Sequence, residues 1–220
     1  LVDLISGKFP NIPIIKLTND ANAAAIGEQI YGGAKEMKNF AMFTLGTGVG
    51  SGLVVNSELI YGHDGFAGEC GHAMLVPNGR LCGCGAKGHL EAYCSASGMK
   101  RTAFELLAKY NTTDSPLSDK TFNEVDPKMI FDAAEAGDKI ATEVFEITGA
   151  HLGMGLADIV HNLSPEAIFL FGGITAAGDL IFKPTIESMN EHLLPIFSKR
   201  NIQVLPSELP MGDAAIVGAS

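Results

Sequence analysis

Asn39-Phe40-Ala41-Met42-Phe43-Thr44-Leu45-Gly46-Thr47-Gly48-Val49-Gly50-Ser51-Gly52-Leu53-Val54-Val55 is the stretch that decides the architecture. Asn39 to Thr44 reads as a short apolar strand running into glycines. Leu53-Val54-Val55 and Glu58-Leu59-Ile60-Tyr61 continue in β fashion across a polar Asn56-Ser57 turn, as an antiparallel hairpin or meander. Between the strands, glycine at every second position exposes backbone N–H groups and removes side chains that would keep a phosphate away. No Gly-Lys-Ser/Thr follows, so this is not a Walker A loop. A strand rather than a helix comes next, so it is not a dinucleotide fingerprint either. Alone, the segment is a phosphate loop or a glycine-rich hairpin turn.

Outward from it, strands and helices alternate. Upstream, Ile12 to Thr18 reads as a strand, and Asn19 or Asp20 can cap the alanine-rich helix that follows. Downstream, Ser97 to Tyr110 is helical with Phe104, Leu107 and Ala108 on one face, and the polar stretch Asn111 to Glu124, with Pro116, is a loop. Asp126-Pro127 pairs a cap with proline at the first helical position. Ile140 to Leu163 is a long helix whose Gly149, Gly153 and Ala157 form a small stripe for close packing. Ala167 to Phe171 is a buried strand ending in Gly172-Gly173, Pro184 to Leu194 a helix, Ile202 to Leu205 a strand, and Asp213 a cap for a final helix. Paired strands followed by strand–helix alternation predict an α/β fold with a mixed sheet.

The 220 residues carry 15 Lys or Arg against 25 Asp or Glu, a net charge of 15 − 25 = −10, which argues against binding a phosphate backbone. No apolar run approaches the roughly 20 residues that span a bilayer, and no leader pattern is present, so a cytoplasmic setting is expected. The chain starts at Leu1 and ends in an unfinished apolar pattern, Ala214 to Ala219, which reads as a segment of a longer polypeptide.

Three further motifs carry chemistry. Glu69-Cys70-Gly71-His72 precedes Cys82-Gly83-Cys84-Gly85-Ala86-Lys87-Gly88-His89-Leu90-Glu91. As ligands, His72, Cys82, Cys84 and His89 supply two imidazoles and two thiolates, a set for tetrahedral zinc rather than magnesium or calcium. Cys70 and Cys94 are rival ligands, and a glycine-rich loop with incidental cysteines is the plain alternative. Thr18-Asn19-Asp20-Ala21-Asn22 places Asp20 at a strand-to-helix junction, as a helix cap or as a carboxylate where active sites of α/β folds gather. Phe171-Gly172-Gly173-Ile174-Thr175 either receives a nucleotide or turns a corner.

In this order, Asn-Asp-Ala-Asn-Ala-Ala-Ala, the Thr-x-Gly-Thr-Gly-x-Gly-x-Gly hairpin, Gly-Glu-x-Gly-His, Cys-x-Cys-Gly, Leu-Glu and strand-Gly-Gly, the chain resembles the ROK family of repressors and sugar kinases from about Ile12 to Ala219. Gly65 to Ser95 is most similar to bacterial ROK glucokinases. The resemblance implies an actin-like ATPase fold of two RNase-H-like domains with a sugar and ATP cleft between them. Residues 1–36 would be the tail of the small N-terminal domain, and 37–220 the large domain, with a zinc knuckle at 69–95. It implies Asp20 as general base toward the 6-hydroxyl of a hexose, glucose first, with Asn19, Asp20, Glu69, His72 and Glu91 on the sugar. Gly46, Thr47 and Gly48 would hold phosphate, and Gly172 and Gly173 adenosine, with Mg²⁺ accompanying ATP and structural Zn²⁺ in the knuckle. A homo-dimer or tetramer is also implied; nucleic-acid and membrane partners are not.

Two departures stand out. Where the family has a third cysteine ligand this sequence has His89, giving Cys2His2. The family's first phosphate loop, Asp-x-Gly-Gly-Thr, has no counterpart, so this segment alone is expected not to phosphorylate sugar. The alternatives are a kinase for N-acetylmannosamine, fructose or allose, a sugar-sensing repressor of the same family, and a zinc-binding interaction module.

Overall fold

The computed structural model describes residues 2–13, 17–197, 199–210 and 214–219. Five strands, β1 (Phe40–Leu45), β2 (Val49–Val55), β3 (Glu58–Leu59), β4 (Ala167–Phe171) and β5 (Gln203–Pro206), form one sheet in the order β3-β2-β1-β4-β5. β1 pairs antiparallel with β2 and parallel with β4, and β4 parallel with β5, so the sheet is mixed, as the sequence predicts. The helices are α1 (Val2–Lys8), α2 (Asp20–Tyr31), α3 (Glu91–Cys94), α4 (Ala96–Tyr110), α5 (Pro127–Glu135), α6 (Lys139–Leu163), α7 (Asp179–His192) and α8 (Ala214–Gly218).

The central strand β1 is buried on both faces. Ala41, Phe43 and Leu45 join the larger core with Met99 of α4, Ile130 of α5, Leu152 and Leu156 of α6 and Met189 of α7. Phe40 and Met42 face the smaller core with Ala24 and Ala25 of α2 and Ala214 of α8. Thr44, the only polar residue of β1, is half-buried on this second side.

The alanines of α2 and the glycines of β2 are two halves of one contact. A Cβ added at Gly50 would lie 2.9 Å from Ala21 Cβ, and one at Gly52 2.6 Å from Ala25 Cβ. The helix therefore lies almost on the strand backbone, which fixes where its N-terminus points. At its other end the fully buried Glu28 accepts the Gly33 N–H at 2.8 Å and the Ser207 hydroxyl, tying α2 to the segment after β5.

The small stripe of α6 packs on α7. A Cβ at Gly153 would stand 2.4 Å from the Thr185 carbonyl oxygen and 2.6 Å from the Met189 nitrogen. Gly153→Ala gains about 1 kcal/mol of helix propensity, but the atoms it strikes are backbone, so α7 must move at a cost of about 1–3 kcal/mol. Net destabilisation is expected, with the melting temperature of the full-length protein down by about 2–4 °C for each kcal/mol lost. An unchanged or raised melting temperature would show that the two helices are not locked together.

Several elements differ from expectation. The buried stripe of α4 is Met99, Thr102, Ala103 and Leu106, while Phe104 and Leu107 only flank it and Ala108 is exposed. α7 starts at Asp179, after Gly178, and Pro184 lies inside the helix with its ring on Gly149. The cap of α2 is Asn19, not Asp20: its Oδ1 accepts the Asn22 N–H at 2.7 Å. Residues 17–19 are not strand, positions 14–16 of the expected strand fall outside the described residues, and so does Asp213.

Candidate functional site

The glycine-rich segment is the tip of the β1–β2 hairpin. Leu45 pairs with Val49, Gly46 N–H donates to the Gly48 carbonyl at 3.0 Å, and Ala96 N–H, at the start of α4, donates to the Gly46 carbonyl at 2.8 Å. The tip is thus held on the first turn of α4. Facing it is the first turn of α2. Because Asn19 does the capping, the Asp20 side chain is left exposed, with Oδ1 accepting only the adjacent Ala21 N–H at 2.9 Å. Asn19 Nδ2 reaches Glu69 Oε1 at 3.5 Å.

A cavity of about 400 Å³ lies between these elements, lined by Asp20, Gly46, Thr47, Gly48, Glu69, His72, Glu91 and Gly172, among others. Residues from four separate motifs converge here. The turn Cys70–His72 is pinned to β2 by Ser51, whose hydroxyl donates to the Gly68 carbonyl and accepts the Cys70 N–H at 3.0 Å. Glu91 opens α3 and spans two motifs: Oε2 accepts the Val49 N–H at 3.1 Å, and Oε1 lies 3.2 Å from Cys82 Sγ. Thr44, Gly50 and Phe171 line the same cavity. Thr44 opens the hairpin motif but was given no site role from the sequence; its signal is being polar in an otherwise apolar strand.

Behind the cavity the donor atoms of His72, Cys82, Cys84 and His89 all lie within 4.8 Å of one another. His72 Nδ1 is 3.7 Å from Cys82 Sγ, and His89 Nδ1 is 3.2 Å from Cys84 Sγ. Donor separations in a tetrahedral S2N2 zinc site are roughly 3.4–3.8 Å, from Zn–S of about 2.3 Å and Zn–N of about 2.0 Å. The donor set suits zinc in its chemistry, and the four groups are gathered within 4.8 Å, about 1 Å wider than a closed tetrahedral site, so they would have to draw together on a metal. Cys70 and Cys94 are not in this cluster; Cys94 is fully buried against the Thr148 carbonyl, which, by desolvation, drives its thiol far above the usual range. Burial also raises the Cys82 thiol, to about 11, so a metal binding there must displace its proton.

The loop carrying Cys82 and Cys84 is braced from outside. Arg80 lies over the Tyr93 ring at 4.8 Å, donates to the Ala92 and Gly98 carbonyls and to Thr102 Oγ1, and pairs with Glu105. Arg101 Nη1 donates to the Leu81 carbonyl at 2.5 Å. Sequence reasoning missed both arginines, because nothing local distinguishes a bracing arginine from a solvated one.

Gly172 and Gly173 divide between two cavities. Gly172, at φ 114°, closes on the Leu45 carbonyl, where a Cβ would stand 2.2 Å away, so no other residue fits. Gly173 lines a second cavity of about 570 Å³, which shares Gly46 and Thr47 with the first.

A sequence profile of the ROK family matches residues 1–220. The chain belongs to the ROK family. Glucokinase of Thermotoga maritima is 35% identical over 204 residues, covering 93% of this chain and 64% of the relative. The transcriptional regulator NagC of Escherichia coli is 31% identical over 229 residues, covering 95% of this chain and 55% of NagC. The solved structure of a ROK glucokinase from Streptomyces griseus, in complex with glucose and AMPPNP, matches at a TM-score of 0.86 and 34% identity over 100% of this chain and 70% of that one. The ROK chain thus spans less than two thirds of the length of these two curated relatives, and its fold is the actin-like ATPase fold of ROK sugar kinases. Among the described residues, no helix is long and apolar enough to cross a membrane.

Proposed function

We propose that the protein containing this chain transfers the γ-phosphoryl group of ATP to the 6-hydroxyl of a hexose, glucose by preference. The observation that carries this is the meeting, in one cavity, of a free carboxylate at a helix start, a phosphate-sized glycine hairpin and the acceptor-rich wall Glu69, His72 and Glu91. Similarity to glucokinases supports the sugar.

In this reading the hexose lies against Glu69, His72 and Glu91, with Asn19 steadying Glu69. Asp20 takes the proton of the 6-hydroxyl as the oxygen attacks phosphorus, a step that asks for position more than for reactivity. The Thr47 and Gly48 backbone N–H groups would serve the phosphates, that of Gly46 being taken by the Gly48 carbonyl, and Mg²⁺ would accompany the nucleotide as charge stabilisation. Zinc, held by His72, Cys82, Cys84 and His89, would be structural: it fixes the imidazole and, through the Cys82 loop, Glu91. Residues 1–36 belong to a small domain and 37–220 to a large one, with α2 packed across the division. The reaction belongs in the cytoplasm, where ATP is available, and assembly into a dimer or tetramer is the expected state, to be read by sedimentation.

A repressor role is the second reading, favoured by the similarity to NagC. Assaying the full-length protein and the 220-residue chain against glucose, N-acetylmannosamine, fructose and allose separates these. Glucose turnover by the full-length protein alone is expected. No turnover of any sugar, with sugar-dependent DNA binding instead, would replace the kinase with the repressor.

A further inference from the structure

The chain enters α2 with little to hold it. α1 buries no residue, and among the described residues no hydrogen bond joins 2–13 to the rest of the protein. Leu17 is 61% exposed, so packing does not fix this approach either. Its anchor is remote in sequence: the Tyr61 hydroxyl, just past β3, donates to the Leu17 carbonyl at 2.9 Å. The Tyr61 ring is itself set by the loop that follows it. A Cβ on Gly65, at φ 87°, would meet that ring at 3.4 Å, and the Ala67 N–H donates to the Tyr61 carbonyl at 3.4 Å. The loop ends at Glu69, whose Oε1 takes the 3.5 Å contact from Asn19 Nδ2. Segments 17–19 and 61–69 are thus stitched twice, once through Tyr61 and once, at the outer limit of hydrogen-bond distance, through Asn19.

We propose that Tyr61 is a positioning residue: by clasping the Leu17 carbonyl it keeps the first turn of α2 from fraying and holds Asn19 and Asp20 in register with Glu69. Ala21 and Ala25 fix the body of α2 on β2, whereas Asn19 and Asp20, at its exposed end, lie where helices open first. On the kinase reading above, on which this inference rests, one hexose must meet Glu69 and present its 6-hydroxyl to Asp20 at the same time. Slack between the two segments therefore costs both binding and turnover, since reaction demands that the partners be held in one geometry.

The test uses the full-length protein. Tyr61→Phe removes one hydroxyl and leaves the ring on Gly65. It should lower kcat/KM for glucose by about 2–12-fold, the share of one hydrogen bond, with hexose KM raised as well as kcat lowered. A mere loss of folded protein would lower kcat alone. Amide hydrogen exchange at Ala21, Asn22 and Ala23, which are bonded to Asp20 and Asn19, should quicken by a similar factor while the β1 amides keep the parent rate. Asn19→Ser retains a capping oxygen but gives up the reach to Glu69. Combined with Tyr61→Phe, it should cost at least about twofold more than the product of the single effects, because each stitch covers for the loss of the other. Unchanged kcat/KM in Tyr61→Phe, a fall in kcat at constant KM, unaltered exchange in α2, or effects that simply multiply would overturn the proposal. Exchange that quickens as expected in a protein that phosphorylates no sugar would sink the kinase reading and leave the clasp standing.

Discussion

Replacing Asp20 with asparagine in the full-length protein is expected to lower kcat for glucose phosphorylation by about 10²–10⁴-fold, the usual share of a positioned general base. The substitution is nearly isosteric. The Asn19 cap is untouched, and an amide oxygen can still accept the Ala21 N–H that Asp20 Oδ1 accepts at 2.9 Å. The α2 register on β2 rests on Ala21 and Ala25 against Gly50 and Gly52, which the change does not reach. Hexose KM should therefore move by no more than about threefold, the pattern of an interaction realised in the transition state rather than in binding. Steady-state kinetics with a stability check decides it. A kcat within tenfold of the parent would remove Asp20 from the proton transfer and leave Glu69 and Glu91 to be tried in its place.

Removing the proposed zinc is expected to act on a different parameter, the binding of hexose. Structural zinc in small sites supplies on the order of 10 kcal/mol of folding free energy at neutral pH, and few apolar contacts hold the exposed segment Gly83 to Lys87 in its absence. Cys82→Ser and Cys84→Ser should each abolish stoichiometric zinc by mass spectrometry. Since His72 belongs both to the candidate metal cluster and to the proposed sugar wall, and Glu91 touches Cys82, the wall should loosen with the knuckle. Displacing these two half-buried side chains from the proposed sugar wall, at about 1–1.5 kcal/mol for each hydrogen bond lost, should raise hexose KM by about 10–100-fold. Chelated wild-type protein should recover on zinc addition, while the serine variants should not. Zinc retained by both variants, or an unmoved hexose KM after chelation, would refute the role. Because burial raises the Cys82 thiol, to about 11, uptake must release a proton, and zinc affinity should fall as the solution is acidified.

Much of this site was legible in the sequence because its parts are local. The hairpin announces itself through apolar strands around alternating glycines, and the four candidate metal donors fall within one short segment. Pairwise choices were less legible. Asn19 and Asp20 are both good caps, and only the backbone geometry shows that the asparagine took the position and left the aspartate free. The expected helix from Pro184 to Leu194 in fact begins at Asp179 after Gly178, with Pro184 inside it because Gly149 on α6 leaves room for the ring. In α4, Phe104 and Leu107 share a face, but the core takes the neighbouring face through Met99, Thr102, Ala103 and Leu106. The second cavity, with Phe131 and Phe145 in its wall, was invisible, since both aromatics sit at ordinary core spacing on helices far from the glycines they face.

The hairpin tip has a further consequence for how such a protein can change. Gly46 and Thr47 border both the cavity proposed for the hexose and the second cavity beside Gly173. A substitution there alters the walls of both cavities at once, so under the proposed function a change of carbohydrate is expected to leave positions 46 and 47 alone. The wall from Glu69 to Glu91 borders only the first compartment, and lineages diverging in diet would be expected to rewrite that wall while inheriting the tip unaltered.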